Sequence, residues 1–407
     1  MYAQNYDESN IPDYAVPEIL TDRNGQKIET AGQWENQRRQ ELLEIFEEQM
    51  YGKVPEFEYH ATYRSKSLSS PELSGKATQE EVTITLSNER GQVDINMLLT
   101  LPLNTGGKVP VFLGLNFQGN QATHPNPEIA ITGNYVIGGD QLGVRDNKAT
   151  EQSRGARISR WPLDLILKSG YGLATIHCGD IDPDFDDGFK NGVHSLSPDM
   201  LNTVAPADHW GTIAAWAWGL SRAMDYLSAD DRVDPDRVAV IGHSRLGKAA
   251  LWAGAIDERF ALVISNDSGC GGAALSRRRI GETVEAINTS FPHWFCKNFH
   301  QYNGNEDDLP IDQHMLIALI APRPVYVGSA QEDQWADPKG EYTSIFLAGP
   351  VFKLYGFQTL EEAEQPPTDH PVSLGKQGYH MRSGGHDMTE YDWQQYIRFA
   401  HQQLPAH

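Results

Sequence analysis

The sequence predicts an α/β fold: a mostly parallel central sheet with helices on both faces and antiparallel strands at its N-terminal side. Three observations predict it. The β-branched run Arg237-Val238-Ala239-Val240-Ile241 leads into a glycine turn with a serine at its tip, Gly242-His243-Ser244-Arg245-Leu246-Gly247-Lys248, and then into the helical stretch Ala249-Ala250-Leu251-Trp252-Ala253. Strand and helix patterns alternate from Pro162 onward, as βαβ units require. The strand patterns that precede them read as an antiparallel meander.

In chain order, residues from about Gln33 to Met50 carry an amphipathic helix with Leu42, Leu43, Ile45 and Phe46 on its apolar side. The meander comprises strands at Glu58 to Tyr63, Glu80 to Ser87, Val93 to Leu101 and Val109 to Leu115. A helix at Pro162 to Lys168, a strand at Gly172 to His177 and a long helix from Trp210 to Leu227 lead to the strand before Ser244. Strands at Phe260 to Ser265 and Pro324 to Ser329 follow, and the last helix runs from Asp392 to Gln403. Two stretches, 118–161 and 269–312, lack periodicity and are too long for simple connections, so they are expected to form the rim of a site. A serine turn in the middle strand of such a series describes an α/β-hydrolase three-layer sandwich. Residues 1–407 are expected to form one such domain, with an N-terminal arm and helix over residues 1–52.

Composition narrows the function. The formal charge of -22, from 33 basic and 55 acidic residues, argues against nucleic acid or a membrane surface as partner. No stretch approaches the roughly 20 apolar residues of a membrane span. The opening Met1-Tyr2-Ala3-Gln4-Asn5 is polar, as expected after removal of an export signal. Cys178, Cys270 and Cys296 include no C-x-x-C pair and make no zinc site; a Cys270–Cys296 disulfide and buried free thiols both stay open. The acidic run Asp180, Asp182, Asp184, Asp186, Asp187 lacks the glycine and glutamate of a calcium loop, so a hydrogen-bonded turn near the site is expected. No phosphate loop or dinucleotide fingerprint occurs, and no cofactor or metal is called for.

The chemistry starts at Ser244. A strand–serine–helix turn lifts the hydroxyl above the sheet, and the helix N-terminus favours negative charge developing on a substrate oxygen. The turn departs from G-x-S-x-G, because Leu246 stands where the second glycine falls and Gly247 comes one residue later. A serine hydroxyl needs a base, which this fold supplies late in the chain. Of 14 histidines, His386 in Ser383-Gly384-Gly385-His386-Asp387 fits best, ahead of His380 and His370. The acid is Asp333 or Asp267, each following a strand, with position favouring Asp333.

Gly242-His243-Ser244-Arg245-Leu246-Gly247-Lys248 resembles the G-x-S-R-x-G-K signature of the glucuronoyl esterases, carbohydrate esterases that cleave lignin–carbohydrate esters. The resemblance, strongest to bacterial members, extends through Ser265 to Arg279, Gly281-Glu282-Thr283-Val284, Phe291-Pro292-His293-Trp294-Phe295-Cys296, Trp335-Ala336-Asp337-Pro338-Lys339-Gly340-Glu341 and Gly384-Gly385-His386-Asp387. It implies Ser244 as nucleophile, His386 as base and Arg245 as oxyanion donor. It further implies that Lys248 and Glu282 bind sugar hydroxyls and that Trp335 contacts the uronate ring. Many members carry glutamate at the position of Asp267, and others rely on an acid matching Asp333.

The expected activity is hydrolysis of esters between glucuronic acid of glucuronoxylan and lignin alcohols, by a secreted or periplasmic monomer. An acetylxylan or other carbohydrate esterase, and a non-catalytic carbohydrate-binding protein on a hydrolase scaffold, are the alternatives.

Overall fold

The computed structural model describes residues 4–103, 105–198 and 206–404. Its strands are β1 (His60–Leu68), β2 (Ala77–Asn88), β3 (Gly91–Pro102), β4 (Val109–Asn116), β5 (Val144–Arg145), β6 (Lys148–Ala149), β7 (Gly172–His177), β8 (Val233–His243), β9 (Leu262–Asn266), β10 (Val325–Ala330), β11 (Val372–Leu374) and β12 (Gln377–Arg382). Among the described residues, ten of them form one sheet in the order β1-β2-β3-β7-β4-β8-β9-β10-β12-β11, while β5 and β6 pair as a separate hairpin. From β7 to β12 the pairings are parallel; β1, β2 and β3 run antiparallel on one side and β11 on the other.

The meander is shorter than the sequence suggests. β4 leaves it, pairing in parallel with β7 and β8, and β7 stands between β3 and β4. The reason is visible in the residues. Every residue of β4 is buried, the signature of a strand covered on both faces, whereas β2 alternates Val82, Ile84 and Leu86 inward with partly exposed neighbours. β12 has no counterpart in the sequence reading, because Gln377-Gly378-Tyr379-His380-Met381-Arg382 carries no β-branched residue.

Side chains from alternate positions of β8 divide between two cores. Val238 and Val240 pack into the layer of the helices Thr212–Ala229 and Arg245–Ile256, with Trp216, Leu220, Leu251 and Trp252. Ala239 and Ile241 face the opposite layer, where Trp393, Tyr396 and Phe399 of the last helix, Glu390–Gln403, meet Phe112 of β4. This is the three-layer α/β-hydrolase sandwich. The expected N-terminal helix forms as one run from Ala31 to Tyr51, widened by π turns at Trp34–Arg38 and Glu47–Tyr51. No helix among the described residues is long and apolar enough to cross a membrane. All three cysteines are buried and free, so Cys270 and Cys296 form no disulfide.

The unusual glycine spacing at the turn has a steric cause. A Cβ on Gly242 would stand 1.9 Å from the Leu246 carbonyl oxygen, and one on Gly247 would stand 3.0 Å from Ser268 Cβ. Gly242 lets the turn close on itself, and Gly247 lets the helix approach the loop after β9. Gly242→Ala is therefore expected to destabilise the chain by about 3 kcal/mol. Gly385→Ala, where a Cβ meets nothing within 4 Å, should change stability by less than about 0.5 kcal/mol. Urea unfolding of the two variants measures both.

Candidate active site

Ser244 sits between β8 and the helix Arg245–Ile256 with φ 59° and ψ −132°, a conformation that side chains rarely adopt. The Ser244 N–H donates to the Asn266 carbonyl at the end of β9 (2.9 Å), which ties the turn to the neighbouring strand. β8 and β9 are parallel, so their loops emerge on one edge of the sheet, as do those of β10 and β12.

The loop after β12 carries His386, an exposed residue whose ring lies 4.6 Å from the ring of His243, the neighbour of Ser244. The His386 Nδ1–H donates to Asp333 Oδ2 at 2.6 Å, which leaves Nε2 as the nitrogen able to take a proton. Arg382, at the end of β12, shapes this loop by donating to the carbonyls of Ser383, Gly385 and Asp387 at 2.9, 2.8 and 2.5 Å. His380 is buried in β12 with Nε2 on Asp392 (2.8 Å), and His370 bonds the Thr368 carbonyl at 2.9 Å, so neither reaches the turn.

The two candidate acids have different surroundings. Asp267 is buried at φ 45° and neither of its carboxylate oxygens accepts a hydrogen bond; Arg382 Nη2 lies 3.5 Å from Oδ2. Burial, and then the carboxylates of Glu341, Asp333 and Asp392, push the Asp267 carboxyl well above its ordinary range, with Arg382 opposing. Oxygen and nitrogen atoms of Asp267, Asp333 and His386 all lie within 4.8 Å of one another. The 2.6 Å contact from His386 to Asp333 is a hydrogen bond and leaves no room for an ion between them.

Arg245 is half-buried, with its guanidinium 4.4 Å from the ring centre of Trp294 and 4.9 Å from that of Phe291. Those two rings stack at 3.7 Å. Arg245 Nη1–H donates to Asp184 Oδ2 (2.7 Å), while His293 Nε2–H and Trp294 Nε1–H donate to Asp184 Oδ1 (3.0 and 2.8 Å). Burial alone would raise the Asp184 carboxyl, but the bonds from His293, Trp294 and Arg245 outweigh it and hold the group below its usual range. Arg245 Nε carries a buried N–H without a protein acceptor.

One turn along the same helix, Lys248 is buried, donating to the Ser268 carbonyl (2.6 Å) and lying 3.6 Å from Glu282 Oε2. Burial raises the Glu282 carboxyl, opposed by Lys248, Arg245 and a bond from the Trp335 side chain. Gly281 makes the contact between these segments possible. It has φ 62°, and a Cβ there would stand 2.4 Å from the Trp335 carbonyl oxygen, which accepts the Glu282 N–H at 3.0 Å. Lys248, Glu282 and Trp335 thus connect through short contacts along the helix that starts at Ser244 and Arg245, and His386, Asp333 and Asp267 gather as a second cluster.

A family model described as "Glucuronyl esterase, fungi" matches residues 200–356. The curated carbohydrate esterase MZ0003, from an unknown prokaryotic organism, is 49% identical over 98% of this chain and 93% of its own length. The chain belongs to the glucuronoyl esterase family. Among solved structures, a promiscuous CE15 esterase from a marine bacterial metagenome superposes with a TM-score of 0.92 at 49% identity, covering 99% of this chain and 100% of that one. A glucuronoyl esterase from Solibacter usitatus gives 0.90 at 44% identity, over 97% and 100% of the two chains. The protein is accordingly a serine-type carbohydrate esterase on an α/β-hydrolase fold.

Sequence reasoning overlooked two of the esterase's supporting groups. The sequence places Asp184 in a hydrogen-bonded turn; in the structure Asp180, Asp182 and Asp184, at successive spacings of two, each have their own partners, and Asp184 alone meets Arg245. Glu341 closes the Trp335 to Glu341 motif, which by itself assigns it no role. It is fully buried, accepting from the Ser268 and Gly269 N–H groups (2.8 and 3.0 Å) and the Ser329 hydroxyl (2.6 Å), and so braces the loop that carries Asp267.

Burial pushes the Glu341 carboxyl up to about 8, against the bonds from Ser329 and the Ser268 and Gly269 N–H groups. Between its ordinary 4.5 and about 8, the folded chain keeps a proton that the unfolded chain has released. Stability from this group is therefore full below the ordinary value and falls as pH rises through that window. Glu341→Gln, a neutral isostere, should lose less stability than the wild type between pH 5 and pH 8, by about 2–4 kcal/mol. Thermal unfolding of both proteins across that range measures the difference.

Proposed function

We propose that Ser244 attacks the carbonyl of a glucuronate, or 4-O-methylglucuronate, whose carboxyl is esterified to an alcohol. His386 Nε2 takes the Ser244 proton, and Asp333 holds the imidazole in the tautomer that permits this and stabilises the imidazolium. The backbone N–H and guanidinium of Arg245 stabilise the tetrahedral oxyanion. Asp184 holds one end of that guanidinium. His386 then protonates the departing alcohol, and water releases the acid by the same steps in reverse.

The observation that carries this reading is the 2.6 Å bond from His386 to Asp333 beside a serine held at positive φ. Asp333 is favoured over Asp267 because only Asp333 bonds the imidazole, whereas neither Asp267 oxygen makes a hydrogen bond and burial and neighbouring carboxylates disfavour its charged form. Lys248, Glu282 and the half-buried Trp335 would bind the uronate hydroxyls and ring face. Rim segments 118–161 and 269–312 would bound the pocket. The substrates we assign are glucuronate esters of xylan with lignin alcohols, met outside the cell by an exported monomer.

Benzyl glucuronate beside a simple acetate ester tests the substrate. The acetate arm matters because the 49%-identical marine relative is described as promiscuous. Wild type should cleave the uronate ester at the higher kcat/KM, and Ser244→Ala should abolish cleavage of both. Preference for the acetate would discard the uronate pocket, and activity retained by Ser244→Ala would discard the nucleophile. Asp333→Asn should lower kcat by about 10³–10⁴ and Asp267→Asn by less than about tenfold; equal losses would overturn the choice of acid.

A further inference from the structure

A cavity of about 1070 Å³ opens beside the esterase site, and none of Ser244, Arg245, His386, Lys248, Glu282 or Trp335 lines it. Its floor is the outer face of the antiparallel strands. Register places Arg64, Thr83 and Asn96 side by side across β1, β2 and β3, with Lys66 opposite Glu81 one step along. The opposite face of the same strands carries Val82, Ile84, Ile95 and Met97 in the core. A strand face that is polar by alternation is normal. A concave one, walled on two sides, is not required by the fold.

The walls come from the segments near Thr132 to Tyr135 and Phe185 to Ser195. They are joined to the floor by a built polar knot. Buried Asp180 accepts from the Asn96 N–H and Nδ2–H (3.0 Å each) and from Asn134 Nδ2–H (2.8 Å), with His177 Nδ1 at 3.4 Å. The half-buried rings of Tyr135 and Phe185 lie 4.6 Å apart at the lip and offer apolar faces.

Charge distinguishes the cavity from the rest of the surface. Arg64, Lys66, Lys148 and Lys190 line it, against Glu81, Asp94 and the satisfied Asp180, on a chain whose formal charge is -22. Lys66 lies 3.9 Å from Glu81, and Lys148 donates to the Gly133 carbonyl at 2.6 Å, while Arg64 and Lys190 form no ion pair among the described residues. Amides, hydroxyls, aromatic faces and unneutralised cations together suit a hydrated, negatively charged chain of sugar rings.

The cavity is also tied to the chemistry. Pro183 and Phe185 line it, and Asp184 between them holds Arg245. We propose that this groove is a second saccharide-binding site, which takes the acidic oligosaccharide chain whose uronate ester is cleaved next door. The proposal rests on the uronate-ester reading for its link to catalysis, but not for binding itself.

The test uses one leaving group on two substrates: benzyl glucuronate, and the benzyl ester of one glucuronate on a xylo-oligosaccharide that carries a second, free glucuronate. Arg64→Ala/Lys190→Ala, both exposed positions, should raise KM for the oligosaccharide ester about fivefold, a loss of about 1 kcal/mol. kcat and KM for benzyl glucuronate should not change. Equal effects on the two substrates, or none on either, would overturn the groove. If the wild type cleaves neither ester, the uronate reading fails, and calorimetric titration with the unesterified acidic oligosaccharide still reads the groove. Binding that is lost in the double variant and weaker for a neutral xylo-oligosaccharide supports it; binding that is absent, or indifferent to charge and to the variant, refutes it.

Discussion

The site depends on the backbone at Ser244 holding a left-handed conformation between β8 and its helix. A serine does not adopt φ 59° for any local benefit, so the surroundings must impose it. They do so through two glycines that remove side chains where backbone meets backbone, and through the Ser244 N–H bound to the end of β9. From that fixed point the other groups follow by topology. Parallel neighbours β9, β10 and β12 send their loops over the same sheet edge, and those loops bring Asp267, Asp333 and His386 together.

Buried charge governs the second layer. Arg382 meets Asp392, approaches Asp267 and donates to three carbonyls of the histidine loop, so one cation organises the whole back of the base. Asp184 plays the matching part for Arg245, with His293 and Trp294 completing its bonds. On the proposed mechanism Arg245 faces a developing oxyanion, and without Asp184 its guanidinium would be free to swing into solvent. Fixing one end against a buried carboxylate holds the guanidinium beside the serine and limits the reorganisation needed in the transition state. Asp267, by contrast, sits among carboxylates with only Arg382 opposing them, and it makes no hydrogen bond to the imidazole.

Much of this was legible in the sequence, and what was missed has physical causes. Ser244 and His386 stand out as candidates because a serine at a glycine turn and a late histidine after glycines are local signals. β4 was recognisable as a strand, but its neighbours were not, since pairing is a long-range property that only its two-sided burial hinted at. β12 gave no propensity signal because it is held by Gln377, His380 and Arg382, buried polar residues whose partners, Leu360 and Asp392, lie outside the strand. Asp184, Glu341 and Arg382 were obscure for the same reason: a buried charge is indistinguishable from a surface one until its partner is known. The cysteines could be left open on either reading, and only the packing places them as free thiols.

The central claim is that uronate transfer passes through an ester on Ser244. Partitioning measures it most directly. Methyl, benzyl and aryl glucuronates are hydrolysed in the presence of a fixed concentration of a second alcohol, and the ratio of transferred to hydrolysed uronate is determined for each. A common acyl-serine predicts one ratio for all three donors, because the leaving group has departed before water and alcohol compete. A ratio that changes with the leaving group would contradict the account, since water would then be attacking the bound ester itself.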